Sequence, residues 1–513
     1  MKLYAKILAL LFAILMLIPT FAACANTNPE ETTNNAETKT PENTEEVVDD
    51  NLDTEGYWKD DLPEELDFNE VVTILYWSDC ERAEFEITEN QADTDMVKEA
   101  IYRRNLATEE RLGVTFEWTG VDGDSGSRKD FIQYALTCYN GGTYYDIIAT
   151  YSRTAGMLLT EGLIQDINAI EDSYINTAQP WWPKSMLETC QIEDSLFYVS
   201  GDISTNILHF MYAVYYNMDM LSRLGLDDPV QFVDSKTWTI DKLMEMSKNT
   251  YADLDQDGTK SVDDQYGFCS TDFHLDAFYT GSGLKLLVPD DDNYLKVSDD
   301  FFGAKAVDLV DKLGSWFKQG DTLVTHNGWD PFEYRLPFEA GTVLFRLDRV
   351  YIADHEYHNG ALRNADFEYG ILPVPLYDED QPEYITVVGN PYTLWTVMEG
   401  AKDPTMSTAV IECLASEGYR KTSPALFENN MKYRYTPDNA GKGDGARMFD
   451  LIRATIAFDQ GRTFSDITGL MSELPSNAAA ASISWGGSAQ DKHKKTLKRS
   501  LADLNAALDK VIG

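Results

Sequence analysis

The chain has 513 residues, of which 86 are acidic and 42 are basic, so that its formal net charge is −44. A charge of this size and sign repels phosphate backbones, which argues against a nucleic-acid partner. The length also exceeds what one hydrophobic core usually organises, and it predicts more than one lobe or domain.

The N-terminus predicts an export signal over residues 1–23. Lys2 and Lys6 precede an apolar run at residues 7–18, which is too short to cross a bilayer comfortably as a finished helix. The following FAAC resembles the bacterial lipobox, in which the cysteine, here Cys24, receives diacylglycerol and becomes the mature N-terminus; Phe21 departs from the usual Leu. We therefore expect a lipoprotein signal peptide and acyl chains such as palmitate on Cys24. A plain secreted protein cut near Ala23 is the alternative.

Residues 24–65 predict a disordered acidic tether. Asn, Thr, Pro and acidic residues dominate this stretch, and Lys39 and Lys59 are its basic residues. Low hydrophobicity and charge of one sign cannot bury a core. About 40 residues of flexible chain span roughly 35 Å, enough to hold a globular body off a membrane surface. We expect this body on the extracellular face of the cell membrane.

Strands and helices alternate through the first part of the body. Apolar runs predict strands at 71–77, 114–118, 146–150, 195–200 and 211–217. Helical spacing predicts helices at 95–112, 128–138, 155–163 and 218–224, with Gly113 and Gly225 ending two of them. This alternation predicts an α/β fold with a largely parallel sheet.

One strand, turn and helix stands out at residues 146–168, DIIATYSRTAGMLLTEGLIQDIN. In open α/β sheets, small ligands bind beyond the carboxyl ends of the strands. At that place Tyr151 offers a flat apolar face with a polar tip, and Arg153 offers a fork of donors. The alternative is an ordinary connection between strand and helix that contains a core tyrosine.

Further segments continue this pattern in a recognisable order: SLFYVSGD at 195–202, YAVYYNMDMLSRLGL at 212–226, KTWT at 236–239, FEAGTVLFRLDRV at 338–350 and EYGILPVPLYDEDQPEY at 368–384. Together with residues 146–168 they resemble the extracellular solute-binding proteins of family 1. These are the carbohydrate-capturing lipoproteins of ABC importers, related in fold to maltose-binding protein. The resemblance extends over the body from about Leu66.

The resemblance implies two α/β lobes, joined by crossing strands, with a ligand cleft between them, the periplasmic-binding-protein-like fold. Crossings near Ala213 and Tyr384 would divide the body into lobe 1, residues 66–213 with 384–440, and lobe 2, residues 214–383 with 441–513. Closure on the ligand is then a hinge motion that buries it from both sides. The implied partners are a carbohydrate and the transmembrane subunits of an ABC permease. We expect a monomer that contacts the membrane through its lipid anchor only.

Sugars are held by aromatic platforms and by charged or amide groups. The candidates in lobe 1 are Trp77, Asp79, Tyr151, Ser152, Arg153, Asn390 and Tyr392, and those in lobe 2 are Arg346, Asp348, Arg349 and Trp485, with Trp329 as a further one. In related proteins a tryptophan often follows the strand TVLF, and its replacement by Asp348-Arg349 argues against a simple maltose-like stacking site. The alternatives are core packing for the tryptophans and, for Asp348-Arg349, a surface ion pair worth under ~1 kcal/mol.

Residues 253–264, DLDQDGTKSVDD, fit the twelve-residue calcium loop. Asp253, Asp255 and Asp257 stand at positions one, three and five, Gly258 makes the turn at six, Thr259 offers its carbonyl at seven and Ser261 stands at nine. Position twelve is Asp264 instead of the usual Glu, whose longer side chain binds in bidentate fashion, so we expect modest affinity. The predicted Ca²⁺ is structural; the alternative is an acidic surface turn.

No catalytic motif is visible in the sequence. The six histidines lack HExxH spacing, and neither a G-x-S-x-G elbow nor a G-x-x-x-x-G-K-[ST] phosphate loop occurs. We therefore expect a binding protein for a carbohydrate, an oligosaccharide, and not an enzyme. A peptide or other non-sugar ligand, a surface carbohydrate-active enzyme and a structural surface protein remain the alternatives.

Overall fold

A computed structural model describes residues 51–290, 294–325, 333–354, 361–434 and 444–512. The predicted signal peptide, Cys24 and Trp329 therefore lie outside the described residues. Among the helices within those ranges, none combines the length and the apolar character needed to cross a bilayer.

The strands, numbered in chain order, are β1 Glu70–Trp77, β2 Val114–Val121, β3 Ile147–Tyr151, β4 Tyr212–Asn217, β5 Tyr266–Thr271, β6 Leu287–Pro289, β7 Leu295–Val297, β8 Thr322–Thr325, β9 Val343–Arg349, β10 Tyr369–Leu372, β11 Thr386–Val387, β12 Thr393–Val397 and β13 Ile456–Ala457. The α-helices are Glu89–Ala92, Met96–Leu112, Arg128–Asn140, Ser152–Thr160, Lys184–Cys190, Thr205–His209, Met218–Leu224, Val230–Asp234, Ile240–Met246, Asp276–Gly281, Ala304–Phe317, Arg335–Glu339, Pro404–Glu417, Lys432–Arg434, Asp444–Ala454, Gln460–Thr463, Leu474–Ala480 and Ser488–Ile512.

The first sheet has the order β12-β3-β1-β2. Its strands β1, β2 and β3 are parallel, as the alternation of strands and helices predicts. The late strand β12 joins antiparallel to β3, with Thr393 opposite Tyr151. The carboxyl ends of β1 and β3 and the start of β12 therefore lie at one edge of this sheet.

The second sheet has the order β10-β4-β9-β5-β8. Strand β5 is parallel to β8 and β9, whereas β4 runs antiparallel to β9 and β10. Tyr212, the first residue of β4, lies opposite Arg349, the last residue of β9. The chain thus forms the two-lobe α/β fold, each lobe built around one sheet.

Several predicted element ends are confirmed by the backbone. Asp95 caps the helix that begins at Met96, its carboxylate accepting from the amides of Val97 and Lys98, and Gly113 ends that helix with φ of +62°. Gly225 ends the helix after β4 in the same left-handed conformation, which glycine adopts without steric cost. The predicted strand at 195–200 is wrong: this segment forms only isolated bridges, such as Val199 with Trp395.

Residues 51–65 differ from the disordered tether that their composition predicts. Leu62 is buried, and Asp60 lies within ion-pair distance of both Arg111 and Arg420, at 3.8 and 3.4 Å. Asp61 accepts hydrogen bonds from Asn176 and from Gln179. Long-range pairing of acids with arginines of the body orders this stretch, and low hydrophobicity alone does not reveal such pairing.

Candidate ligand-binding site

The edge of the first sheet presents two aromatic side chains. The rings of Trp77 and Tyr151, at the ends of β1 and β3, meet edge to face with centroids 5.5 Å apart. The Trp77 indole Nε1 donates to Thr393 Oγ1 over 2.8 Å, which ties both strand ends to the start of β12. Trp77 is fully buried in this arrangement and therefore fixes the position of Tyr151.

A single segment links the edges of the two sheets. Val388 bridges to Met211, and the Gly389 amide donates to the Phe210 carbonyl over 2.7 Å, both beside the start of β4. Ser152 Oγ then donates to the Asn390 carbonyl over 2.7 Å, beside the end of β3. Residues 388–393 therefore join the lobes, and the end of β3 and the end of β9 lie on either side of them.

A second crossing brings in a short helix late in the chain. Strand β13 pairs with β11, and helix 460–463 follows it. A Cβ on Gly156 of the first lobe would lie 2.8 Å from the Thr463 carbonyl and the Phe464 ring, so this helix packs closely on helix 152–160. Arg462 Nη1 donates to Asp276 Oδ2 of the second lobe over 2.5 Å. We call the region around residues 388–393 and 460–463 the junction between the lobes, and Arg462 belongs to it.

The protonation of Tyr151 reflects cations from both lobes. Burial raises the pKa of its phenol to about 12, while Arg153, Arg128, Arg349 and Arg462 act in the opposite direction. The phenol therefore stays neutral at neutral pH. Of these arginines, Arg153 lies two residues after Tyr151, and Arg128 binds the same Asp466 carboxylate as Arg153.

Asp348 is the centre of a buried ionic network in the second lobe. Its carboxylate accepts from the Tyr334 hydroxyl over 2.5 Å, from Arg335 Nε over 3.1 Å and from Arg346 Nη2 over 2.7 Å. Burial would raise the pKa of Asp348, but Arg335, His274, Arg346 and Arg349 together lower it well below its usual range. This network is fully buried, so the alternative of a surface ion pair is wrong.

The Arg349 side chain lies outside that network, on the side of the junction. Its guanidinium lies over the rings of Phe210, at 4.9 Å, and Tyr351, at 5.1 Å. Gly389 leaves room for it, since a Cβ there would lie 2.8 Å from Arg349 Cδ. Burial lowers the pKa of Arg349, but Tyr351, Glu81, Tyr212 and Asp348 raise it above its ordinary value. Arg349 is therefore a permanent buried cation.

Arg128 and Arg153 share one carboxylate on the first-lobe side. Both guanidinium groups bind Asp466 in bidentate fashion, with distances between 2.7 and 3.1 Å. Arg153 also donates to Glu473 Oε1 over 2.9 Å. Arg153 is thus neutralised by acids from the C-terminal part of the chain.

The family model of bacterial extracellular solute-binding proteins matches residues 87–421. The chain belongs to this family. The solute-binding protein is also similar to solved structures, among them a cyclo/maltodextrin-binding protein complexed with maltotetraose, with a TM-score of 0.52 and 13% identity over 86% of this chain and 97% of that chain. A galacto-N-biose-/lacto-N-biose I-binding protein of Bifidobacterium longum with lacto-N-biose has a TM-score of 0.52 and 12% identity over 85% of this chain and 97% of that chain. An extracellular solute-binding protein of Staphylococcus aureus with maltose has a TM-score of 0.51 and 11% identity over 88% of this chain and 99% of that chain. At these identities the similarity shows the shared fold. No sequence among the curated proteins matches the chain.

Five candidate residues of the solute-binding protein fall into two groups. Tyr151, Arg349 and Asn390 lie at the junction, where the strand ends meet. Asp79 and Ser152 hold the backbone near it, Asp79 by accepting from the amides of Gly123 and Asp124. Their roles in ligand binding stay predictions.

Trp485 lies elsewhere in the second lobe. Its Nε1 donates to the Phe301 carbonyl over 2.8 Å, and its ring stacks on Phe302 and His493, at centroid distances of 6.3 and 5.5 Å. The side chain is almost fully buried by these partners. The structure therefore does not bring Trp485 to the junction as a platform, because it fills the space beneath the C-terminal helix.

Several buried polar atoms at the junction lack a hydrogen-bond partner within the residues that the structure describes, among them Arg349 Nε, Arg462 Nε, Asp276 Oδ1 and Asn390 Oδ1. Buried polar groups are normally paired, because an unpaired one costs free energy. Donors and acceptors of this kind match the hydroxyl groups of a polar ligand. The candidates predicted from the sequence do not include Arg462, Asp276, Tyr212 and Tyr351. Arg462 reaches the junction because β13 pairs with β11, and no local sequence pattern predicts this pairing.

The predicted calcium loop has part of the required geometry. Asp253, Asp255 and Asp257 each offer a carboxylate oxygen, and these oxygens lie within 4.8 Å of one another. Gly258 makes the sharp turn with φ of +76°. Asp264 is already engaged, since its carboxylate accepts from the amides of Leu254 and Ser261 and from the Tyr251 hydroxyl. The three aspartate oxygens are of the kind that Ca²⁺ prefers, and the binding of Ca²⁺ stays a prediction, as does the role of the Thr259 carbonyl.

Proposed function

We propose that this solute-binding protein captures a carbohydrate, an oligosaccharide, in the cleft between its lobes and delivers it to the transmembrane subunits of an ABC permease. The observation that carries the proposal is the cluster of aromatic and unpaired polar groups where the facing sheet edges meet. The rings of Tyr151, Tyr212 and Tyr351 are buried in this cluster. The buried Nε atoms of Arg349 and Arg462 have no hydrogen-bond partner within the described residues.

These side chains suit sugar chemistry. Aromatic rings stack on the C–H faces of a pyranose, and a guanidinium binds two hydroxyl oxygens at once. Oligosaccharides occupy several of the solved structures similar to this chain, among them the maltotetraose and maltose complexes. The fold and the junction residues therefore support a sugar ligand.

The N-terminal sequence supports attachment to the membrane. FAAC at residues 21–24 resembles a lipobox, so Cys24 would carry the lipid after removal of residues 1–23. The acidic segment after Cys24 would then extend the body from the extracellular face of the membrane. The protein would bring the ligand to the permease and leave the covalent structure of the ligand unchanged.

A calorimetric binding screen tests this function. The purified full-length chain is titrated with mono- and oligosaccharides, and the recovered ligand is analysed by chromatography. We expect one-to-one binding of an oligosaccharide and recovery of the ligand unchanged. A saturating ligand also raises the unfolding temperature, since a hundredfold excess over Kd stabilises the fold by about 2.7 kcal/mol.

Other outcomes would contradict the proposal. Consumption of the sugar would identify a carbohydrate-active enzyme. Binding of a peptide but no sugar would identify another class of solute, and the absence of any cleft ligand would favour a structural surface role.

A further inference from the structure

The arginines around the junction are balanced by carboxylates, with one exception. In the first-lobe group, Arg128 and Arg153 contact Asp466 and Glu473. In the second-lobe network, Arg335 and Arg346 contact Asp348, and Arg346 also lies 3.7 Å from Glu339. Two positive and two negative charges meet in each group.

Two further arginines each have a carboxylate of their own. Arg462 pairs with Asp276 and Arg82 pairs with Asp354, at 2.5 and 3.0 Å. Arg349 is the exception. Among the residues that the structure describes, no carboxylate lies within ion-pair distance of its guanidinium, and its Nε lacks a hydrogen-bond partner.

Nearby groups do not supply the missing negative charge. Burial raises the pKa of Tyr212 well above its usual range, so its phenol is neutral at physiological pH. The Tyr351 phenol is neutral as well, because burial raises its pKa above the ordinary value. Glu81 influences Arg349 through space, but it is exposed to solvent and forms no ion pair with it in the described structure.

An unpaired cation with only 6% of its surface exposed is unfavourable for folding. Such a charge is retained where a ligand supplies the counter-charge, as in other sites that place guanidinium groups against oxyanions. The chain is rich in acids, with a total charge of −44, yet none of its described carboxylates lies within ion-pair distance of the Arg349 guanidinium; Asp348 accepts only from the Arg349 backbone amide.

We propose that the ligand is an acidic saccharide whose carboxylate or sulfate group binds Arg349, an inference that rests on the proposed function. Tyr151, Tyr212 and Tyr351 would contact the sugar rings beside this oxyanion. Arg462 Nε and Asn390 Oδ1 would bind hydroxyl groups further along the saccharide. The acid group and not the ring identity would then determine which saccharides bind tightly.

Calorimetry with matched saccharides tests the inference. The full-length chain is titrated with uronate-containing oligosaccharides, with the same oligosaccharides after reduction of their carboxyl groups, with sulfated oligosaccharides and with neutral ones. We expect the acidic member of a matched pair to bind about 10- to 100-fold more tightly, as charged hydrogen bonds predict. The uronate and sulfate series show which oxyanion is bound.

The two proposals fail in different ways. Equal or tighter binding of the neutral or reduced member would overturn the inference and leave carbohydrate binding intact. Binding of no saccharide at all would overturn both, and so would binding of a small non-sugar acid.

Variants at Arg349 give a second readout. Arg349→Met should reduce the preference for the acidic member to near unity, and Arg349→Lys should keep part of it. Without ligand, Arg349→Met should unfold at a higher temperature than the unaltered chain, because an unpaired buried charge is lost. In the control Arg335→Met, which leaves Asp348 short of a partner, the unfolding temperature should fall. A lowered unfolding temperature in Arg349→Met, with the acid preference kept, would show that Arg349 is purely structural.

Discussion

Arg82 and Asp354 form an ion pair between the two lobes. Arg82 follows β1 of the first sheet, Asp354 follows β9 of the second, and Arg82 Nε lies 3.0 Å from Asp354 Oδ2. The Arg82 guanidinium also lies 5.2 Å from the centre of the Tyr351 ring. Both ion-pair side chains are nearly buried, at 12% and 7% exposure, so water screens them little. This pair therefore stabilises the arrangement in which the lobes are in contact.

Replacing Arg82 should shift the solute-binding protein toward separated lobes. Arg82→Met removes the charged hydrogen bond to Asp354, which we expect to cost the closed arrangement about 1–2 kcal/mol. Ligand affinity should then fall about 5- to 30-fold, mainly through faster dissociation. Calorimetry and stopped-flow dissociation measure both quantities.

Arg103→Met is the matched control for that variant. Arg103 pairs with Glu99 on the surface of a single helix, at 65% and 49% exposure, so its loss should leave affinity unchanged. If Arg82→Met also binds as tightly as the unaltered chain, the interlobe pair has no role in closure.

Asp466 should make the stability of the fold sensitive to acid. Burial raises the pKa of this carboxyl, but the hydrogen bonds and charges of Arg128 and Arg153 outweigh burial and lower it. A lowered pKa contributes stability above the unfolded value of about 3.9, and this contribution is lost as the pH falls through the still lower folded value. At pH 7, Asp466→Asn should lower the free energy of unfolding by about 2–4 kcal/mol.

Urea unfolding at pH 7, 5 and 3 measures this effect. The difference between Asp466→Asn and the unaltered chain should be the same at pH 7 and 5 and smaller at pH 3. A difference that does not change with pH would mean that the aspartate acts through its shape and not through its charge.

Trp485 tests whether the C-terminal tryptophan belongs to the binding site. Trp485→Phe removes the hydrogen bond to the Phe301 carbonyl and part of the stacking on Phe302. We expect the free energy of unfolding to fall by about 1–3 kcal/mol, while the affinity for the ligand stays within about twofold. A tenfold loss of affinity in a variant of nearly unchanged stability would instead mean that Trp485 takes part in ligand binding.

Local signals in the sequence predict the elements of the first lobe well. The Asp95 cap and the glycines at 113 and 225 fix helix ends through short-range geometry, and the apolar run before Tyr151 forms the buried strand β3. The strand after Gly341 in FEAGTVLFRLDRV likewise forms β9 and places Arg349 at its end. Each of these outcomes depends on a few neighbouring residues.

The remaining junction residues depend on contacts between distant segments. Arg462 meets Asp276 because β13 pairs with β11 and carries the following helix across to the second lobe. Tyr212 lies beside Arg349 only because β4 runs antiparallel to β9. A strand of two residues such as β13 is too short to show a hydrophobic pattern that would predict it. The sequence of a strand also does not tell which distant strand pairs with it in antiparallel fashion.

Calcium should stabilise the chain through residues 253–264. Removing divalent cations with a chelator and adding Ca²⁺ back should raise the unfolding temperature, with a gain of about 1.4 kcal/mol at tenfold excess over Kd. Ca²⁺ prefers carboxylate and carbonyl oxygens, which Asp253, Asp255, Asp257 and Thr259 offer here. Asp264 must give up a bond to Leu254 or Ser261 to bind the ion in bidentate fashion, so we expect Kd above the range of tight intracellular sites.

Two variants of equal charge separate ligation from general electrostatics. Asp255→Asn removes a ligand at position three, whereas Asp263→Asn removes an exposed acid at position eleven, which points away from the ion in loops of this kind. Only Asp255→Asn should abolish the calcium-dependent rise in unfolding temperature. Because both variants lower the negative charge of the loop by one, an equal loss in the two would show diffuse attraction of cations by an acidic turn, and a response retained in both would place the calcium effect outside this loop.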